Sequence, residues 1–304
     1  MNMKNTTIGL LSGLLFLACS KKETNEPAAN PTPAQFKVNL AFSDTLPRLG
    51  NLGQPVSVPP ENAAQHPNMQ LASAHYIELA PSANTQLGQG EIIYEGKETN
   101  AGGNAAIDFR EAKLVGNGEQ FLSVNLSDVT PGTYTWVRVS LSYQLYDIAF
   151  RLNDGQFFNN DDFTGRFASF VGFNNYIANH TVKDSNIVVN ENKAQGYWAF
   201  ETVVSYNNTN YGSVNQGDGA GVTVVNPISN TSPVPAGSCV VTGQLAEPLV
   251  ITGNETNDMT LVLAFSINNS FEWREVVADG KYEPGAGEQV VDMGLRGLHP
   301  FVKE

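Results

Sequence analysis

The clearest pattern in the chain is strict alternation of apolar and polar positions. Phe36, Val38, Leu40 and Phe42 fall on one side of a run that starts at Phe36. A period of two over this length predicts a half-buried strand. The longest such run is Thr133 to Phe150. There Thr135, Val137, Val139, Leu141, Tyr143 and Leu145 share one side. Trp136, Arg138, Ser140, Ser142, Gln144 and Tyr146 share the other. At Asp147 the phase changes, with Ile148 and Phe150 apolar instead, which predicts a bulge or bend there. Met259, Leu261, Leu263, Phe265 and Ile267 form a third alternating set. Asn268-Asn269 follows as a tight turn, predicting a hairpin into Phe271-Glu272-Trp273-Arg274.

Shorter strands are predicted at 74–79, 91–95, 120–126, 166–173, 185–190, 197–206, 238–245, 249–252 and 289–293. No stretch sustains a helical period. Residues 108–115 read as one or two helical turns at most. Many short strands separated by Gly, Asn and Pro turns predict an all-β fold, a multi-stranded antiparallel β-sandwich of jelly-roll type. Residues 43–73 hold several prolines and glycines and read as a long ordered loop. Residues 207–238 are rich in Asn, Gly, Ser, Thr and Pro, with only Val222 to Val225 breaking the polarity. They read either as a long surface loop or as a boundary between two β halves.

The N-terminus follows other rules. Residues 1–23, MNMKNTTIGLLSGLLFLACSKKE, open with Lys4 and an apolar run from Ile8 to Leu17. A small residue, Ala18, stands directly before Cys19. This is the layout of a secretory signal, too short to span a bilayer as a mature helix. With Phe16-Leu17-Ala18-Cys19 as a lipobox, it resembles a bacterial lipoprotein signal peptide. The resemblance implies a diacylglycerol on the Cys19 sulfur, cleavage after Ala18 and acylation of the new amino group. Residues 20–35 are polar and proline-bearing, so 19–35 reads as a lipidated tether and 36–304 as the folded part. The opening Ser20-Lys21-Lys22-Glu23 is similar to the charged signals of surface-exposed lipoproteins. In composition and layout the remainder resembles the uncharacterised surface lipoproteins of Bacteroidota. The implied location is outside the cytoplasm, on the outer membrane and facing the periplasm or the exterior.

Charge narrows the partners. Lys and Arg number 17 against 30 Asp and Glu, a formal charge of −13, and only Lys4 is lost with the signal. An acidic chain is poorly suited to nucleic acid, whose phosphates need clustered Lys and Arg. With only Cys19 and Cys239 present, acylation of Cys19 leaves no intrachain disulfide. Cys239 reads as a small buried apolar residue.

Candidate chemistry is sparse. Asn153 to Asp162 gathers Asp154, Asp161 and Asp162 with several amides, and hard oxygens of this kind suit calcium. A solvated hairpin tip is the simpler explanation. No other cofactor is implied. The histidines 66, 75, 180 and 299 lack metal-ligand spacing. Glu201, Glu272 and Asp292 lie on strand candidates, where a glycosidase pair needs a fixed separation in space. No nucleophile elbow, P-loop, dinucleotide loop or zinc-protease motif occurs. Trp136, Tyr146, Trp198 and Trp273 fall on less apolar faces or beside charges, where rings can stack on sugars or anchor a protein. The expected function is a lipid-anchored, non-catalytic binding or structural module for a glycan or an envelope protein. The alternative is a lipid-anchored polysaccharide hydrolase using a carboxylate pair.

Overall fold

The computed structural model describes residues 33–219, 238–293 and 295–303. The signal, Cys19 and most of the tether therefore lie outside the described residues. Residues 33–304 form one compact unit. It is all-β, and helical structure among the described residues is confined to 3-10 turns, one of them at Phe109–Glu111.

Two sheets enclose the main core. The first runs β18 (Leu298–Lys303), β15 (Met259–Ser266), β1 (Gln35–Ser43), β7 (Gln120–Asn125). Its β1–β15 pair is parallel, the others antiparallel. The second is the large antiparallel sheet, in the order β13 (Thr209–Asp218), β12 (Tyr197–Tyr206), β9 (Asn159–Phe170), β8 (Gly132–Asn153), β3 (Asn68–Ala80), β4 (Glu91–Glu95). β14 (Cys239–Ile251) pairs with the first half of β8. A third sheet holds β11 (Asn186–Ala194), β10 (Asn174–Thr181), β6 (Ala106–Asp108) and β5 (Glu98–Thr99). A fourth holds β17 (Gln289–Asp292), β16 (Phe271–Arg274) and β2 (Asn62–Gln65).

The alternation predicted for β1 and β15 is realised. Phe36, Val38, Leu40, Phe42, Leu261, Leu263 and Phe265 are all buried in the main core. They meet Val137, Val139 and Leu141 of β8. Beyond that point β8 exchanges its faces. Tyr143 and Leu145 enter a second core with Phe170, Ile177 and Tyr197, while Tyr146, Ile148 and Phe150 join the main one. A single slip at Ser142 explains the exchange. Leu141 pairs with Cys239 and Ala74, yet Tyr143 pairs with Phe170 and Ser73, leaving Ser142 over. Its carbonyl accepts from the N–H groups of Val171 (3.0 Å) and Gly172 (3.2 Å). An extra residue of this kind flips every later side chain to the other face. The bulge expected at Asp147 is thus located at Ser142. It leaves no mark in the sequence because Tyr143 and Leu145 are apolar for a different core.

Three further expectations change. The stretch 43–73, read as a loop, contains β2 and the start of β3. The hairpin from Met259–Ile267 into Phe271–Arg274 does not form. The Asn268-Asn269 turn exists, but β15 pairs with β1 and β18 while β16 pairs with β2 and β17. Burial of Phe271 and Trp273 against the aromatic cluster carries β16 away from β15. The polar stretch from Asn207 begins with a regular strand, β13, not a loop. Asn207 and Asn208 adopt φ of 48° and 61°, the left-handed pair that suits a two-residue hairpin turn. Ten uninterrupted pairs with β12 follow, and backbone pairing needs no apolar side chain.

β16 is fixed by buried charge. Arg48 donates to Glu272, and Asn62 donates to the other Glu272 oxygen at 2.6 Å. Glu272 faces Asp292 across the β16–β17 pair, and Arg296 is ion-paired to Asp292. Removing one partner strands a buried charge, which costs about 3–5 kcal/mol. Arg48→Met is expected to lose that much in urea unfolding. Adding Glu272→Met should recover part of the loss. A single variant as stable as wild type would show that the pair does not hold β16.

Candidate functional site

The site grows from one aromatic ladder. Tyr146, Phe167 and Phe200 are direct partners on β8, β9 and β12, with ring centroids 6.0 and 4.2 Å apart. Phe271, Trp273 and Tyr282 cap the buried end, with Phe271 5.4 Å from Phe167. The ladder continues outward because two glycines leave room. Gly217 lies opposite Trp198, where an added Cβ would stand 2.7 Å from the indole. At Gly165 it would stand 2.4 Å from the Phe200 ring. Each ring therefore lies flat over backbone on the neighbouring strand.

The facing wall is the loop between β16 and β17. Glu288 gathers it by accepting from the N–H groups of Val276 (3.0 Å), Val277 (3.2 Å) and Glu283 (2.7 Å). The Arg151 N–H donates to the Tyr282 carbonyl at 2.8 Å and ties the loop to β8.

Between the walls runs a groove. Its centre, about 470 Å³, is lined by Phe150, Trp198, Thr202, Tyr211, Ser213 and Tyr282 among others. Trp198 and Tyr282 also line a neighbouring cavity of about 390 Å³, which ends at Asp218 and Glu288. Tyr211 and Val204 lead the other way into about 250 Å³ at the hairpin tips, beside Phe157, Phe158 and Tyr206. Leu152 and Gly285 open a side cavity of about 350 Å³ with Arg151, Asp154 and Glu283. Phe157 and Tyr211 are 52% and 54% exposed. They form a rim with Tyr206, whose ring is 5.4 Å from that of Phe157.

The groove is acidic. Arg151 lines it but is engaged by Asp162 at 2.7 Å and Asp279 at 2.8 Å. Glu283 is only 4% exposed, and its Oε1 has no hydrogen-bond partner among the described residues. Burial, then the negative charges of Asp279 and Glu288, hold its carboxyl above the usual range, with Arg151 opposing.

Of the four rings singled out in the sequence, Trp198 alone lines the groove. Tyr146 and Trp273 are core residues, 1% and 0% exposed, and cannot stack on a ligand. Tyr146 is covered by Phe167 and Phe271 from β9 and β16, and Trp273 by Tyr282 from the loop that follows β16, so the residues flanking each ring did not reveal its burial. Trp136 is half-buried at the far end of β8, opposite Ala80 and Gln244. The three candidate calcium ligands serve the protein itself. Asp154 Oδ1 accepts from the N–H groups of Gln156, Phe157 and Phe158, closing the β8–β9 turn. Asp161 accepts from the N–H of Asn159, and Asp162 pairs with Arg151 and Lys281. Among the described residues no group of three or more His, Cys, Asp or Glu is placed to hold a metal ion.

The strand carboxylates are likewise engaged. Glu201 accepts from the N–H groups of Lys183, Asp184 and Ser185 and closes the β10–β11 turn. Glu272 and Asp292 belong to the arginine cluster described above. Cys239 is buried, and burial pushes its thiol up to about 11. Sequence reading missed Phe157, Tyr206, Tyr211, Tyr282 and Glu283. The available signal was aromatic residues inside polar turn segments, as at Phe157 and around Asn207-Asn208.

Glu283 yields a pH prediction. Its folded-state ionisation lies above the unfolded one, so the unfolded chain releases its proton first as pH rises. Stability is therefore lost on going from acid to neutral pH through that window. Glu283→Gln should melt higher than wild type near pH ~7.5, with the gap closing near pH ~4. A lower melting temperature at neutral pH would mean that the carboxylate is stabilised in place. Compared with known proteins, the chain matches no family model, no characterised protein and no solved structure.

Proposed function

We propose that this chain is a lipid-anchored, non-catalytic binding module of the cell envelope, and that its aromatic groove binds a glycan. The observation that carries the reading is the groove itself. Trp198, Tyr206, Tyr211 and Phe157 offer ring faces along one path. Hydroxyl and amide groups of Thr202, Ser213 and Asn215 lie between them. A sugar presents a C–H face to a ring and hydroxyls at its edge, so it meets both kinds of surface.

Anchoring rests on the lipobox resemblance of Phe16 to Cys19. Acyl chains contribute roughly 0.8 kcal/mol per buried methylene, and more than one chain makes attachment stable. The outer membrane is the proposed location.

The binding reading is preferred to a polysaccharide hydrolase because the strand carboxylates are spoken for. Of the other acids in the loop, Glu288 is occupied by three backbone N–H groups and Asp279 by Arg151. That leaves Glu283 without a second free carboxylate in its wall.

Affinity electrophoresis of the full chain in detergent, through gels loaded with single polysaccharides, tests the reading. Retardation without new reducing ends is expected. Trp198→Ala should weaken binding about tenfold or more, the loss of ~1.4–2 kcal/mol typical of an aromatic anchor. New reducing ends would overturn the binding module in favour of the hydrolase. For the anchor, Cys19→Ala should move the protein from the detergent phase to the aqueous phase on phase separation. An unchanged distribution would count against lipidation.

A further inference from the structure

We infer that the groove takes an extended, uncharged glycan chain, and that acidic polysaccharides and short sugars are not its ligands. This rests on the glycan reading above and specifies its ligand.

Length comes from the strand that carries the rings. Trp198 and Tyr206 lie at opposite ends of β12, with Tyr211 across from Val204 on β13. At about 3.4 Å per residue, Trp198 and Tyr206 are about 27 Å apart along the strand. The cavities between them are continuous through shared residues: Trp198 and Tyr282 on one side of the centre, Val204 and Tyr211 on the other. A mono- or disaccharide covers only part of this path, whereas a chain of several sugars can meet all the rings at once. β12 and β13 keep one register over ten pairs, so no bulge interrupts the strand that carries the rings.

Charge fixes the class. The groove is lined by the carboxylates of Asp154, Asp218, Glu283 and Glu288. Its cation, Arg151, is held by Asp162 and Asp279. Among the described lining residues no cation is left to receive a uronate or a sulfate. Such a group would be desolvated beside like charge, which is strongly unfavourable. Glu283 Oε1, buried on the wall of the side cavity and lacking a donor among the described residues, can accept from a sugar hydroxyl. Neutral sugars supply hydroxyl donors along their whole length. Aromatic faces alone would accept acidic and neutral chains alike; the carboxylates add the element that rejects the former.

The test uses the full chain in detergent at low salt with matched pairs. The neutral members are dextran, laminarin, xylan and mannan. The acidic members are the carboxymethyl and sulfate derivatives of each. At least one neutral polymer should retard the protein, and its acidic counterparts should bind at least tenfold more weakly. For the polymer that binds, affinity should rise steeply from its disaccharide to its hexasaccharide. Asp218→Asn should raise the affinity for acidic chains relative to neutral ones.

Equal or tighter binding of an acidic polymer overturns the charge argument but leaves the glycan reading standing. Equal affinity for disaccharide and hexasaccharide overturns the extended-chain argument in the same way. No retardation by any member overturns the glycan reading and the inference with it.

Discussion

The 22-residue strand β8 changes which of its faces meets the main core, and does so at Ser142. From Val137 to Leu141 its odd-numbered side chains fill the main core under β1 and β15; from Tyr146 to Phe150 the even-numbered ones do. At the same point β14 gives way to β9 as the neighbour on one edge. The large sheet therefore curls and presents its second half, β9, β12 and β13, at a new angle to the first. The aromatic ladder, the third sheet and the groove are all built on that second half.

The groove and the core are the same material. Trp273, Phe271 and Tyr146 are buried, Phe167 and Phe200 follow in stacked contact, and Trp198 emerges half-buried at the end. A ring held this way has lost its rotamer freedom before any ligand arrives. Preorganisation of that kind lowers the cost of binding. It also explains the glycines opposite the rings. Gly165 and Gly217 give up strand propensity so that Phe200 and Trp198 can lie down on the sheet.

Carboxylates in this chain mostly organise backbone. Glu78 accepts from the N–H groups of Gly88 and Gly90, Glu201 closes the β10–β11 turn, Glu288 gathers the groove wall, and Asp154 closes the β8–β9 tip. A carboxylate can satisfy several N–H groups of a loop that has no strand to pair with. The same economy makes the surface acidic and commits Arg151 to Asp162 and Asp279. The electrostatic character of the groove is thus a consequence of how its loops are held.

What the sequence determined by itself was local. Alternation at Phe36 to Phe42 and Met259 to Ile267 fixed those strands and their buried faces, because side chains of a strand point to opposite sides whatever it pairs with. Turn chemistry at Asn268-Asn269 fixed a turn but not its use, since which strands meet across a sheet depends on distant partners. The all-β class followed from composition and period. The tertiary structure alone decided that Tyr143 leaves the core of Val137 to Leu141 while Tyr146 joins it, that Trp273 and Tyr146 are buried while Trp198 reaches a groove, and that Glu272 is held by Arg48. Each depends on contacts between residues far apart in the chain. An aromatic residue with polar neighbours looks the same in sequence whether a ring from another strand covers it or not. Phe157, Tyr211 and Tyr282 become a site only because the slip at Ser142, the hairpin at Asn207-Asn208 and the loop gathered by Glu288 bring three separate segments to one face.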